Sequence, residues 1–202
     1  MSRRLQYAIS IFCLAVLLTA CASSPPVRYF SLEPSALNYS GDEQGGILVG
    51  LGPLRMPDYL KRPQISTRIS GTEVMVDEFA RWAEPADQAV HRVVAANVDA
   101  ELQGVVAVAY PYIDSVDLDY WVLGRIDRFN SDASGSVLLL VQWAVFDKQR
   151  QPVVAPRRAR YEAAVASPGS PDAIVVAMNE ALTLFSKDLA AALKEILPPT
   201  KP

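Results

Sequence analysis

Val137-Leu138-Leu139-Leu140-Val141-Gln142-Trp143-Ala144-Val145-Phe146 is the most informative stretch of this chain. Its first five residues are all aliphatic. A strand with one solvated face alternates apolar and polar side chains, whereas a strand covered on both faces is apolar throughout. The stretch therefore reads as a central strand. On its amino-terminal side, residues 118–129 form a second strand candidate, joined to it by Asn130-Ser131-Asp132-Ala133-Ser134-Gly135, a hairpin-type loop. On its carboxyl side, after polar residues 147–151, a third strand is expected over 157–165. There Ala159, Tyr161 and Ala163 share one face and Arg158, Arg160 and Glu162 the other. The three strands make an antiparallel meander.

Two helical patterns flank these strands. Ser170-Pro171-Asp172 supplies a capping residue, a first-turn proline and a favourable acid. Ile174, Met178, Leu182, Phe185, Leu189, Leu193 and Ile196 then form one apolar stripe, until Pro198-Pro199 stops the helix. Another helix is expected over 84–102, with Pro85 at its start. Val90, Val94, Val98 and Leu102 recur at four-residue spacing, flanked by Ala89, Val93 and Ala96, and Gly104 ends the pattern. Nearer the amino terminus, residues 27–32 and 47–51 read as strands, the second ended by Gly52-Pro53. Residues 56–63 read as a turn or single helical turn, and 64–70 and 72–76 as two short strands about Gly71. The pattern predicts an α/β fold: a mixed β-sheet packed between helices, with a long C-terminal helix. One domain is expected over 27–197, with a Pro-rich tail at 198–202.

The amino terminus has its own organisation. Arg3 and Arg4 precede an uncharged stretch, 5–20, that is mostly aliphatic from Ala8 onward. Such a stretch is short for a membrane span, which needs roughly 20 apolar residues. It fits the apolar region of a secretory signal, removed on export. Leu18-Thr19-Ala20-Cys21 matches the bacterial lipobox, so cleavage is expected between Ala20 and Cys21. The Cys21 thiol would take a diacylglycerol and its freed amine an acyl chain. Three chains anchor a protein firmly where one binds only marginally. Ala22, where an Asp would favour retention at the inner membrane, resembles outer-membrane sorting. Residues 22–26 form a tether of at most about 18 Å.

Removing residues 1–20 leaves 182 residues, with 17 basic and 22 acidic side chains. This acidic balance argues against nucleic acid as a partner and shows no polybasic lipid-headgroup patch. Cys13 leaves with the signal and Cys21 carries lipid, so no thiol remains for a disulfide, a metal or a nucleophile. His91 is the only histidine and reads as an ordinary helix residue, part buried or exposed. No G-x-S-x-G elbow surrounds any serine. Asp114, Asp117 and Asp119 lack calcium-loop spacing and read as the solvated start of a strand. Arg157, Arg158 and Arg160 read as a solvated face. No metal, cofactor or catalytic set is expected, only the covalent lipid on Cys21.

Two segments are more specific. Val49-Gly50-Leu51-Gly52-Pro53-Leu54, followed by Met56-Pro57-Asp58-Tyr59-Leu60-Lys61-Arg62-Pro63-Gln64-Ile65, resembles the signature of the PqiC/YmbA family of ABC-type transport auxiliary lipoproteins. Phe79-Ala80-Arg81-Trp82-Ala83-Glu84-Pro85 is similar to that family's segment leading into its first helix. The lipobox, Tyr29-Phe30-Ser31-Leu32 and the long final helix also fit. Lys61 stands where the family usually has an acid, and Ser66 where it has an aliphatic residue. The resemblance implies a non-catalytic, periplasm-facing outer-membrane subunit of an MCE-type envelope lipid transport system. It implies as partners an MCE-domain protein of the inner membrane and further copies in a homo-oligomeric ring. The prolines and Trp82 read as structural. Tyr59 and Arg62 are the candidate partner or subunit contacts, since Tyr and Arg are enriched at interface hot spots. The competing functions are a periplasmic lipid-binding carrier and a hydrolase acting through His91.

Overall fold

The computed structural model describes Arg3 and residues 24–36, 46–112 and 116–198. The rest of the expected leader, the lipobox with Cys21, Asp114 and residues 199–202 lie outside the described residues. In chain order the strands and helices are β1 (Arg28–Phe30), β2 (Ile47–Arg55), a 3-10 turn (Asp58–Leu60), β3 (Gln64–Arg68), β4 (Val74–Trp82), α1 (Ala86–Glu101), β5 (Val105–Ala109), β6 (Tyr120–Asp132), β7 (Ser136–Asp147), β8 (Pro152–Ala164) and α2 (Pro171–Ile196). This is the expected mixed sheet flanked by helices, with a long C-terminal helix.

The meander β6-β7-β8 is antiparallel throughout. Along its other edge β6 serves two partners in turn. Its first half pairs in parallel with β2, from Val49↔Tyr120 to Arg55↔Arg125, and its end pairs in parallel with β3, Thr67↔Ser131 and Arg68↔Asp132. The sheet therefore forks at β6. One branch continues from β2 to β5, the other from β3 to β4 and β1. The 3-10 turn packs against β6 in the gap between the branches.

Strand β7 is covered as its composition predicts. Val137, Leu139, Val141, Trp143 and Val145 are buried towards the core, and Leu138 and Ala144 on the opposite face are buried too. Phe185 of α2 meets Trp143 at 6.3 Å and Tyr161 of β8 at 5.7 Å between ring centroids. All of the predicted α2 stripe is buried, save Ile196 at its end, which packs partly exposed against the core. The stripe of α1 is buried as well, and the two helices touch through Asn97 and Ser186. Among the described residues no helix is long and apolar enough to cross a membrane.

Several boundaries differ from the sequence pattern. Gly52-Pro53 does not end β2, which continues to Arg55 across a register shift between Leu51 and Leu54. Strand β4 runs on to Trp82, and β8 starts at Pro152. The expected six-residue hairpin loop shrinks to Ala133-Ser134-Gly135, because β6 and β7 stay paired to Ser131↔Val137. Residues 105–109 form β5, a short apolar strand that pairs with β2 at the sheet edge.

Phe185 joins α2 to two strands at once, so truncating it leaves a cavity the core cannot close. Phe185→Ala is expected to lower unfolding stability by about 3–5 kcal/mol, measured by urea denaturation.

Candidate functional site

The segment 49–64 is positioned by an irregularity in β2. Gly52 has φ +109°, a conformation side-chain-bearing residues rarely adopt. The bulge turns the Leu54 N–H away from β6, and the His91 Nε2 accepts it at 2.8 Å. Tyr112 donates its hydroxyl to the Gly52 carbonyl, and the Tyr110 N–H donates to the Leu51 carbonyl at 3.0 Å. His91 meets Tyr110 edge to face at 5.5 Å, and Tyr110 meets Tyr112 likewise at 5.5 Å. A β-carbon on Gly52 would lie 2.8 Å from His91 Cδ2, and one on Gly50 would lie 2.5 Å from the Leu118 side chain. Both glycines of the motif are thus required by close approach.

His91 is a buried structural residue, not the part-exposed helix residue the sequence leads one to expect. Burial pushes its pKa down, against opposing effects from the Asp87 charge and nearby main-chain groups. Accepting at Nε2 fixes the proton on Nδ1, which is buried beside the Tyr110 main chain without a hydrogen bond of normal geometry. Nε2, the atom that would take a serine's proton, is already occupied. Burial likewise raises Tyr112 to about 12, with Arg150 opposing, so the phenol stays protonated and keeps donating to Gly52.

Pro57 leads into the 3-10 turn, where the Leu60 N–H donates to its carbonyl at 3.0 Å. Leu60 points into the core with Met56 and Trp82, while the Trp82 N–H donates to the Pro63 carbonyl at 2.7 Å. The two motif segments are therefore bonded to one another. Tyr59 is half-buried. Its ring lies under the Arg68 guanidinium at 5.7 Å, and its hydroxyl accepts from Arg68 at 3.4 Å. Lys61 pairs with Asp58 at 3.0 Å. Arg62 is exposed and has no hydrogen bond or ion pair among the described residues. Of the two candidate contact residues, Arg62 is thus free to meet a partner, while Tyr59 already has an internal one.

Of the acidic cluster, Asp119 is structural and Asp117 is exposed. Asp119 accepts the Leu48 N–H at 2.8 Å, and Lys148 sits between Asp119 at 3.1 Å and Asp117 at 3.2 Å. The hydrogen bonds it donates to these two carboxylates, Asp119 first, hold the Lys148 ammonium above its ordinary range. Among the described residues no group of three or more His, Cys, Asp or Glu side chains is placed to hold a metal. Arg157 covers the Trp143 ring at 5.6 Å, Arg160 pairs with Glu162 at 2.6 Å, and Arg158 is exposed.

Enclosed space among the buried motif residues is small. The cavity among Met56, Leu60, Ile65, Trp82, Phe129 and Met178 holds about 10 Å³, less than one water-sized sphere. An open groove of about 470 Å³ lies on the sheet, floored by Pro53, Leu123, Ala144, Phe146 and Pro156 and edged by Arg55 and Arg125.

Residues 30–190 match the ABC-type transport auxiliary lipoprotein component family. The chain belongs to this family. It is 24% identical over 146 residues to the intermembrane transport lipoprotein PqiC of Escherichia coli (strain K12), which covers 71% of this chain and 76% of that one. PqiC of Shigella flexneri matches to the same extent. The fold recurs in a crystal structure of an uncharacterized protein, with TM-score 0.68 and 20% identity over 84% of this chain and 99% of that one. It recurs also in a protein from Xanthomonas campestris, with TM-score 0.65 and 18% identity over 83% and 98%. Both motif segments lie inside the family match. Sequence reasoning missed the tie between them and His91, which no local spacing signals.

Two outcomes follow from this geometry. Gly52→Ala is expected to cost roughly 2–4 kcal/mol in urea unfolding, through backbone strain and displacement of His91. The second concerns pH. The unfolded chain takes up a proton on His91 near 6.5, before the folded chain does. Stability therefore falls as pH drops through 6.5 and keeps falling until the folded imidazole also titrates. His91→Gln keeps an acceptor for Leu54 but does not titrate. Its stability, followed from pH 7 down to pH 5, is expected to decline less steeply than that of the parent.

Proposed function

We propose that this chain is a lipid-anchored, periplasm-facing subunit of an MCE-type lipid transport system. In this reading Cys21 carries the lipid that holds the domain at the outer membrane. A ring of copies docks the periplasmic tube of an MCE-domain protein anchored in the inner membrane, and so supports the envelope. The observation that carries it is the match of residues 30–190 to a family of transport auxiliary lipoproteins. The lipobox at Leu18-Thr19-Ala20-Cys21 and the likeness to the intermembrane transport lipoprotein PqiC support it. The site itself supports a docking role over catalysis. Its histidine is consumed by a backbone bond, and its outward feature is an unpaired arginine on a rigid turn. A carrier would need an enclosed apolar cavity of about 300 Å³ or more; the cavity among the motif residues is far smaller, and the larger spaces, about 470 Å³ on the sheet and about 420 Å³ between residues 101–105 and the end of α2, are open to solvent.

Crosslinking in living cells, extraction in mild detergent and mass spectrometry of the tagged protein test this reading. Recovery of an MCE-domain protein with a permease and an ATPase is expected. An abundant, acylated protein that brings down none of them overturns it. Arg62→Ala is expected to reduce recovery of partner or ring by about tenfold, as removal of one hot-spot contact does, while leaving the thermal unfolding midpoint in place. Normal assembly in that variant would remove Arg62 from the contact.

A further inference from the structure

Nine large hydrophobic side chains are exposed among the described residues, and five of them belong to one arm of the fold. Val27 and Tyr29 lie at β1, and Ile69, Met75 and Phe79 on the β3–β4 hairpin and its long second strand. Tyr29 and Met75 are the barest of the five, at 66% and 54% exposure. Of residues 69–75 only Val74 is not exposed, so the hairpin tip stands clear of the core.

Register shows how these side chains are arranged. Tyr29 pairs with Arg81, and Arg81 with Gln64, which places the three on one face. Met75 pairs with Thr67, beyond a register shift in that ladder and towards the hairpin tip. The exposed apolar side chains thus run along the arm from β1 to the tip.

The tether leads to the same place. Strand β1 is parallel to β4, with Arg28 opposite Ala80 and Phe30 opposite Trp82. Followed backwards from Phe30, the chain therefore heads along β4 towards the hairpin tip. Cys21 precedes Val27 by six residues, a reach of at most about 22 Å. The eight residues of β4 and the turn between Phe79 and Gly71 span at most about 27 Å. The lipidated end and the hairpin tip can therefore lie level in one plane.

We propose that β1 and the β3–β4 hairpin form a membrane-contact arm, whose apolar side chains enter the headgroup layer of the bilayer that holds the Cys21 lipid. The proposal rests on the acylation of Cys21 in the reading above. Tyrosine suits that depth, where an apolar ring and a polar hydroxyl are both satisfied. Glu73, Asp77 and Glu78 on the arm offset Arg28, Arg68 and Arg81, so the contact comes from apolar burial and not from attraction to anionic lipid. The arm fixes the tilt of the domain, which a flexible tether alone leaves free.

The test uses the full acylated chain in neutral phosphatidylcholine vesicles. The lipid occupies Cys21, so an introduced cysteine is the only free thiol of the processed protein. An environment-sensitive fluorophore is attached in Ile69→Cys and Met75→Cys, and in Val153→Cys and Leu184→Cys as exposed controls on β8 and α2. The expected result is a several-fold brighter, blue-shifted emission at 69 and 75, quenched by nitroxide-bearing lipid, with the controls unchanged. Equal, water-like emission at all four positions in acylated, vesicle-bound protein overturns the arm and leaves the lipoprotein reading intact. A bright signal at 69 and 75 that lipid nitroxide does not quench, and that fades on dilution, assigns the arm to a second copy of the chain and overturns the proposal. A chain that cells leave unacylated at Cys21 overturns both.

Discussion

One edge of β6 has to serve two strands. Its N–H and C=O groups pair first with β2 and then with β3, and the chain between those strands must leave and rejoin the same edge within eight residues. A regular β2 would run straight on and occupy the whole edge. The bulge at Gly52-Pro53 and the 3-10 turn at Asp58–Leu60 are the means by which it departs, and each leaves a main-chain group that needs a partner. His91 takes the Leu54 N–H, and the Pro63 carbonyl takes the Trp82 N–H. The two motif segments are in large part the residues that make this fork possible. Unpaired main-chain groups in the interior are costly enough that these partners cannot be dispensed with.

This explains why two stretches far apart in sequence form one unit. Residues 49–64 supply the bulge and turn, residues 79–85 supply the strand that pins the turn from the other side, and α1 brings the histidine across. Arg62 is carried on the outside of this unit, on a turn held at both ends by buried Leu60 and Ile65. A partner that docks here meets a guanidinium whose backbone is already ordered, so little freedom is lost in binding.

The long-period features were legible in sequence. Residues 137–146 are too apolar for a half-exposed strand, and the stripe from Ile174 to Leu193 leaves no doubt about which face α2 buries. What was not legible depends on contacts between distant residues. Gly-Pro ordinarily ends a strand, and nothing near Gly52 shows that a histidine in position 91 will accept the next N–H. The five residues of β5 are too short and too uniformly apolar to announce a strand; they become one because β2 offers a free edge. Asp119 looked solvated in sequence, yet it holds the start of β2 through Leu48. His91 is the clearest case, since its meaning lies wholly in the bulge it faces.

The parallel pairing of β1 with β4 has a mechanical consequence. A pull arriving from the amino terminus runs along the axis of β1, so its hydrogen bonds to β4 are loaded side by side in shear and not opened one after another. The Arg28–Asp172 ion pair at 2.7 Å ties the same short strand to the start of α2, so force entering at β1 is spread into the longest helix of the domain. A three-residue strand is a weak element by size, but in this orientation it is a strain-relief clamp against tension arriving from the amino-terminal side.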